Sequence, residues 1–273
     1  MVENLRPVLF LDSGIGGLPY YRHFHTRNPR EPVVYVADRA SFPYGAKDAP
    51  TLVSLIRNLI ARCIGRFNPK IVVLACNSAS VAALDDLRKQ FPAFPFVGTV
   101  PALKPAIVQS KSRIVGLLGT ERTVATLNSS EWTKRYGPDS TVIGIAAPEL
   151  VNFVENAAIT SDEESCERMV APFVEGFRRA GADSIVLGCT HFLFLSDAFV
   201  QRAAPDIHIY DSISGISGRV ESLLESMGRN PGTPGEPILV VTGTDPIESR
   251  WKHYAEIFGF PGESLYTMPL KIE

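Results

Sequence analysis

The sequence predicts an α/β protein made of two pseudo-symmetric lobes with mainly parallel sheets. Three observations carry that expectation. Short β-branched apolar runs alternate with longer amphipathic stretches, the pattern of repeated strand–helix units. Two of those runs end alike: Ile71-Val72-Val73-Leu74-Ala75-Cys76-Asn77-Ser78 and Ser184-Ile185-Val186-Leu187-Gly188-Cys189-Thr190-His191. The interval from Asp12 to Cys76 nearly equals that from Thr120 to Cys189, as an internal duplication would produce.

The chain has 273 residues, 45% hydrophobic and 21% charged, an ordinary globular composition with room for two modest cores. A formal net charge of −2 gives no electrostatic footprint for nucleic acid or an acidic membrane. No apolar run approaches the roughly 20 residues that span a bilayer. The opening Met1-Val2-Glu3-Asn4-Leu5-Arg6-Pro7 lacks a signal-peptide core. A cytoplasmic protein with reduced thiols is expected. Its four cysteines form no CxxC pair, which argues against a thioredoxin-type centre or a zinc knuckle.

In chain order, Val8-Leu9-Phe10-Leu11 is a first strand ending at Asp12-Ser13-Gly14-Ile15-Gly16-Gly17, with a helix to about Asn28. The glycines suggest a phosphate loop, but Pro19 stands where the dinucleotide pattern needs glycine, and no P-loop lysine follows. Two uses of this turn stay open: a tight strand-to-helix connection, or amides that approach a small anion while Asp12 points into a site. Val33-Val34-Tyr35-Val36 is the next strand, followed by Asp38 and the loop Phe42-Pro43-Tyr44-Gly45. Leu52, Leu55, Ile56, Leu59, Ile60 and Cys63 recur at helical spacing, which puts Cys63 in a core.

A helix to about Gln90 follows the first cysteine strand, and Phe96-Val97-Gly98 is a fourth strand. The stretch from Val100 to Pro105 reads as a crossing between lobes. Ile114 to Leu118 and Val142 to Ile145 are strands, with Thr120 or Thr123 capping the helix between them. Leu150, Val151 and Val154 mark a short helix carrying Glu155. Cys166, Met169, Val170, Phe173, Val174 and Phe177 repeat helical spacing, so Cys166 is expected in a core as well. After the second cysteine strand come a helix to about Ala203, the strand His208-Ile209-Tyr210 and a helix from about Gly215 to Met227. The loop Asn230-Pro231-Gly232-Thr233-Pro234-Gly235, the strand Ile238 to Val241 and a helix from Arg250 to Phe258 complete the chain.

Cys76 and Cys189 differ from the other two cysteines because each sits where a buried parallel strand stops. In open α/β sheets that carboxyl edge is where ligands bind. Duplication then sets the two thiols on opposite sides of one cleft. A disulfide is disfavoured in a reducing compartment. A metal site wants more ligands than the single nearby His191, so no metal is expected. Cys–His nucleophilic catalysis needs one thiol and leaves the other unexplained. Two-base proton transfer at carbon uses both: one thiolate removes a proton from one face, and the opposite thiol delivers a proton to the other. Each cysteine precedes an expected helix N-terminus, which favours the anion. Asp12 and His191 lie at the same edges as acid–base partners. His23 and His25 are two apart on a helix, face apart and form no metal pair.

At this point the chain resembles the glutamate racemase family. The resemblance runs from Leu9 to about Gly259. It is carried by Asp12-Ser13-Gly14-Ile15-Gly16-Gly17, Pro43-Tyr44-Gly45, Ala75-Cys76-Asn77-Ser78-Ala79, Val154-Glu155 and Gly188-Cys189-Thr190-His191. It implies a cofactor-independent enzyme supplying D-glutamate for peptidoglycan. Cys76 would deprotonate D-glutamate with help from Asp12. Cys189 would deprotonate L-glutamate with help from His191 and Glu155. Ser13, Pro43, Tyr44, Gly45, Asn77, Ser78, Thr120, Thr123 and Thr190 would form the substrate site. The family fold implies residues 1–98 plus 210–273 as one lobe and 99–209 as the other, with the site between them, and a homodimer. Ser78 stands where threonine is common in the family, and Leu193 where proline is usual. Two alternatives stay open beside the glutamate reading: a racemase or decarboxylase of the same superfamily acting on another acid, and a non-catalytic glutamate-binding protein.

Overall fold

In the computed structural model, the described residues are 6–128, 131–230, 232, 235–243 and 247–269. The signal-peptide reading of the first five residues, and Pro231, Thr233 and Pro234 of the expected loop, lie outside them. The chain divides into two compact units, Met1–Thr99 with Ile213–Glu273, and Val100–Ser212.

The first unit is built on a six-stranded parallel sheet. Its strands are β1 (Val8–Asp12), β2 (Val33–Ala37), β3 (Ile71–Leu74), β4 (Phe96–Gly98), β9 (Ile238–Thr242) and β10 (Leu265–Met268), in the order β10-β9-β2-β1-β3-β4. β1, β2 and β3 are buried along their whole length, which is why they read as continuous apolar runs without alternation. Helices α1 (Leu18–Arg27), α2 (Ala49–Phe67), α3 (Asn77–Gln90), α10 (Ile213–Met227) and α11 (Ser249–Phe258) belong to this unit. Asp48 caps α2 by accepting from Thr51 N–H at 2.9 Å. The α2 stripe of Leu52, Ile56, Leu59, Ile60 and Cys63 packs with Leu9, Leu11, Val72, Leu74, Ala79 and Ala83 in one apolar cluster. Each leucine, isoleucine or valine among them contributes about 1.5–3 kcal/mol by burial. Cys63 is in that core as expected, and burial pushes its thiol up to about 12.

The second unit holds β5 (Ile114–Gly119), β6 (Thr141–Ala146), β7 (Ser184–Gly188) and β8 (His208–Tyr210), all parallel, in the order β6-β5-β7-β8. The first unit contains the same order in the four strands that run to its β4 edge, β2-β1-β3-β4. The expected duplication is therefore visible as strand order, with β3 matching β7 and β1 matching β5. The C-terminal segment breaks the match by adding β9 and β10 to the free edge of β2.

Three elements were absent from the expectation. The crossing from Val100 contains helix α4 (Leu103–Gln109), where Pro105 falls in the first turn and breaks no helical hydrogen bond. Helix α6 (Glu131–Tyr136) precedes β6, and β10 ends the first sheet. Helices α5 (Glu121–Asn128), α7 (Pro148–Asn156) and α8 (Glu163–Arg179) match expectation, but Cys166 does not. It is half-buried, because the inward face of α8 is set by Val170, Val174 and Phe177. After Cys189 the chain makes a 3-10 helix, Thr190–Leu195, and only then α9 (Ser196–Ala203).

Candidate active site

Each sheet carries one of the two strand-end cysteines at its carboxyl edge. On the first, Cys76 is the N-cap of α3, with φ −146° and ψ 121°. β3 stops at Leu74, and Ala75 N–H still donates to Leu11 O at 2.8 Å, so Cys76 leaves the sheet beside the end of β1. Asp12, the last residue of β1, is buried there, and its Oδ1 accepts from Gly14 N–H at 2.7 Å. Gly17 closes this turn against β3. A Cβ on Gly17 would lie 2.8 Å from Ala75 Cβ and 2.9 Å from both Ala75 O and Tyr35 Oη. Only glycine permits that approach, which seats the Asp12 turn next to the cysteine.

Asn77 and Ser78 form the first turn of α3, where backbone N–H groups have no helical acceptor. Both are buried. Asn77 is 2% exposed, and neither its Oδ1 nor its Nδ2 has a hydrogen-bond partner among the described residues. A buried amide with both ends free is costly unless something else occupies them. Tyr44 is buried in a 3-10 turn, Tyr44–Ala46, flanked by exposed Pro43 and half-buried Gly45. Burial, then the Asp38 carboxylate, then the charges of Cys76 and Asp12 hold the Tyr44 phenol well above its usual range. Tyr44, Cys76 and Asp12 thus share one electrostatic neighbourhood. Ser13 is buried alongside them.

On the second edge, Cys189 is the N-cap of the Thr190–Leu195 3-10 helix, with φ −136° and ψ 135°. That is nearly the backbone geometry of Cys76. His191 Nδ1 lies 3.8 Å from Cys189 Sγ, and His191 Nε2 lies 2.8 Å from Glu155 Oε1 on α7. All three side chains are buried. Burial opposes charge on His191, but its hydrogen bonds to Cys189 and Glu155 and their charges prevail and raise its pKa well above the ordinary value. In its protonated form the imidazole donates from both nitrogens, joining the carboxylate to the sulfur. Thr120 and Thr123 Oγ1 atoms are 3.1 Å apart, and Thr120 Oγ1 accepts from Thr123 N–H at 3.3 Å, the expected cap. Thr190 is buried next to Cys189.

The first edge thus gathers Asp12, Ser13, Tyr44, Cys76, Asn77 and Ser78, and the second Glu155, Cys189, Thr190 and His191. Sequence reasoning passed over two polar residues at the first edge. Asp38 follows β2, with its carboxylate shared between Tyr44 and Thr242, the last residue of β9. The available signal was position alone: a polar residue directly after a buried strand.

A model of the Asp/Glu/Hydantoin racemase family matches residues 26–214. The glutamate racemase of Roseiflexus sp. is 38% identical over 89% of this chain and 89% of its own. That of Herpetosiphon aurantiacus is 35% identical over 92% of this chain and 96% of its own. Among solved structures, Escherichia coli glutamate racemase, in complex with L-glutamate and the activator UDP-MurNAc-Ala, is similar with a TM-score of 0.83. It is 29% identical, and the match covers 97% of this chain and 99% of that one. The protein belongs to the Asp/Glu/Hydantoin racemase family and stands among its glutamate racemases.

Proposed function

We propose that the protein interconverts L- and D-glutamate by two-base proton transfer at Cα, without a cofactor. The observation that carries this reading is the pair of cysteines at matched strand ends, each an N-cap with nearly the same backbone angles. Two chemically equivalent bases are what inversion at a carbon acid needs. The names of the relatives and the L-glutamate in the Escherichia coli complex supply the substrate.

In the L-to-D direction, the Cys189 thiolate takes the Cα proton and the Cys76 thiol delivers its proton to the opposite face. The electron pair of the broken C–H bond is held on the substrate carboxylate until the new C–H bond forms. The enzyme then carries a Cys189 thiol and a Cys76 thiolate, and the reverse reaction restores the first state. The His191 imidazolium, backed by Glu155, sits where it stabilises the Cys189 thiolate. Asp12 serves the Cys76 side. The Asn77 amide, which has no partner among the described residues, and the α3 N-terminal amides receive a substrate carboxylate without a lysine or arginine. Ser13, Pro43, Tyr44, Gly45, Ser78, Thr120, Thr123 and Thr190 complete the contacts. The enzyme acts as a homodimer in the cytoplasm and supplies D-glutamate for peptidoglycan. Among the described residues no helix is long and apolar enough to cross a membrane.

Circular dichroism of L- and D-glutamate with purified protein and no added cofactor tests this directly. Both solutions should decay to the same zero ellipticity. Cys76→Ala and Cys189→Ala should each abolish the decay while leaving the folded spectrum intact. Persistence of both signals with the parent protein, or decay only with another amino acid, would overturn the assignment to glutamate.

A further inference from the structure

The first sheet edge carries a buried carboxylate that the chemistry above leaves without a task. Asp38 is 1% exposed, and its two oxygens serve two different elements. Oδ2 accepts from the Tyr44 hydroxyl at 2.6 Å, and Oδ1 from the Thr242 hydroxyl at 2.6 Å. Both bonds are short, as charge-assisted hydrogen bonds are. The Asp38 N–H donates to Asp12 O at 2.8 Å, which ties the same residue to the end of β1. Thr242 Oγ1 also accepts from Ala40 N–H at 3.1 Å, so it holds the backbone that leads toward Tyr44.

Thr242 comes from β9, in the C-terminal segment added to the β2 edge. Among the described residues two hydroxyls and no cation hold the carboxylate, and one of them belongs to Tyr44, which shares an apolar cluster with Cys76 and whose phenol feels the charges of Cys76 and Asp12. A fold staple would need no such link to the reacting edge.

We propose that Asp38 is a positioning residue for substrate binding: held by Thr242, it fixes the Tyr44 side chain and with it the Tyr44–Gly45 backbone against glutamate. The C-terminal strand takes part in substrate binding through Thr242, whose side chain never touches the substrate. This inference rests on the placement of Tyr44 and Gly45 in the glutamate site.

Thr242→Val keeps the shape of the side chain but loses both the bond to Asp38 and the acceptor for Ala40, whereas Thr242→Ser keeps both. A loosened loop weakens binding of ground state and transition state alike, which raises KM and spares kcat. Thr242→Val should raise KM about tenfold for both enantiomers with kcat within about twofold, and Thr242→Ser should restore the parental values. Tyr44→Phe removes the other end of the network and should give the same pattern. The double variant should be little worse than either single one, because both act through Asp38. An unchanged KM in both Thr242→Val and Tyr44→Phe would overturn the proposal, as would failure of Thr242→Ser to restore it. Should the parent show no turnover, the racemase assignment itself fails. The ratio of glutamate Kd between parent and Thr242→Val, read by calorimetry, then judges the positioning role: weakened binding supports it, and an equal Kd contradicts it.

Discussion

His191 is where the electrostatics of the second sheet edge are decided. Its folded pKa is raised, so the stability it contributes is fully present below about pH 6.5 and is lost as pH rises through the folded value. Replacing His191 by Asn should cost on the order of 2–3 kcal/mol near pH 6, because Glu155 loses its buried partner. That deficit should shrink at alkaline pH, where the parent no longer holds the proton; denaturant titration at the two pH values measures it. The kinetic signature is subtler. Enantiomers are equally stable in water, so kcat/KM must be equal in the two directions, in parent and variant alike. Slower proton abstraction by Cys189 appears as an increased isotope effect with Cα-deuterated L-glutamate and not with the D-enantiomer. Asn77→Ala makes a complementary case. Its amide has no partner to lose among the described residues, so stability should stay within about 0.5 kcal/mol while KM rises roughly tenfold or more. Residues of this kind were legible in part. Cys76 and Cys189 stood out because Cys63 and Cys166 had helical spacing and they did not. Asp38 and Thr242 did not stand out, because their meeting depends on β9 pairing with β2, a contact no local pattern encodes.

At the scale of elements, close approaches hold the edges in register. Gly17→Ala would drive a methyl into Ala75 and Tyr35, so it should cost about 1–3 kcal/mol and disturb the Asp12 turn. Thermal melts should show the loss, and turnover should fall with it. Asp183 gives the control at the far end of the second sheet. Just before β7, its Oδ1 accepts from Ser110 Oγ at 2.7 Å, and its Oδ2 from Lys111 N–H at 2.6 Å and Ser112 N–H at 2.8 Å. Burial acts against the charge, but these bonds and the one from Ser184 outweigh it and hold the carboxyl at about 2. The stability they confer is present above about pH 4 and lost as pH falls toward that value. Asp183→Asn should destabilise the protein by about 1–2 kcal/mol at neutral pH and leave kcat/KM within about twofold. Long helices announced themselves because burial of one face gives a helical period, and central strands because burial of both faces gives an unbroken apolar run. The elements that did not were short ones: α4 with Pro101 just before it and Pro105 in its first turn, α6, and edge strand β10, where four residues give no period to read.

For the whole molecule, the repeated order β2-β1-β3-β4 and β6-β5-β7-β8 is the physical form of the duplication inferred from spacing. Each copy delivers one cysteine, by the same strand-to-helix turn. The return of the C-terminal segment to the first sheet was implied by family resemblance and not by spacing, since a parallel strand added after more than one crossover leaves no local trace. Because the central claim is a pair of bases on opposite faces of one carbon, it is tested most directly by racemising L-glutamate in heavy water and stopping early. The account predicts deuterium at Cα of the D-glutamate formed and almost none in the recovered L-glutamate. Equal early labelling of substrate and product would mean a single base that exchanges with solvent, and would contradict it.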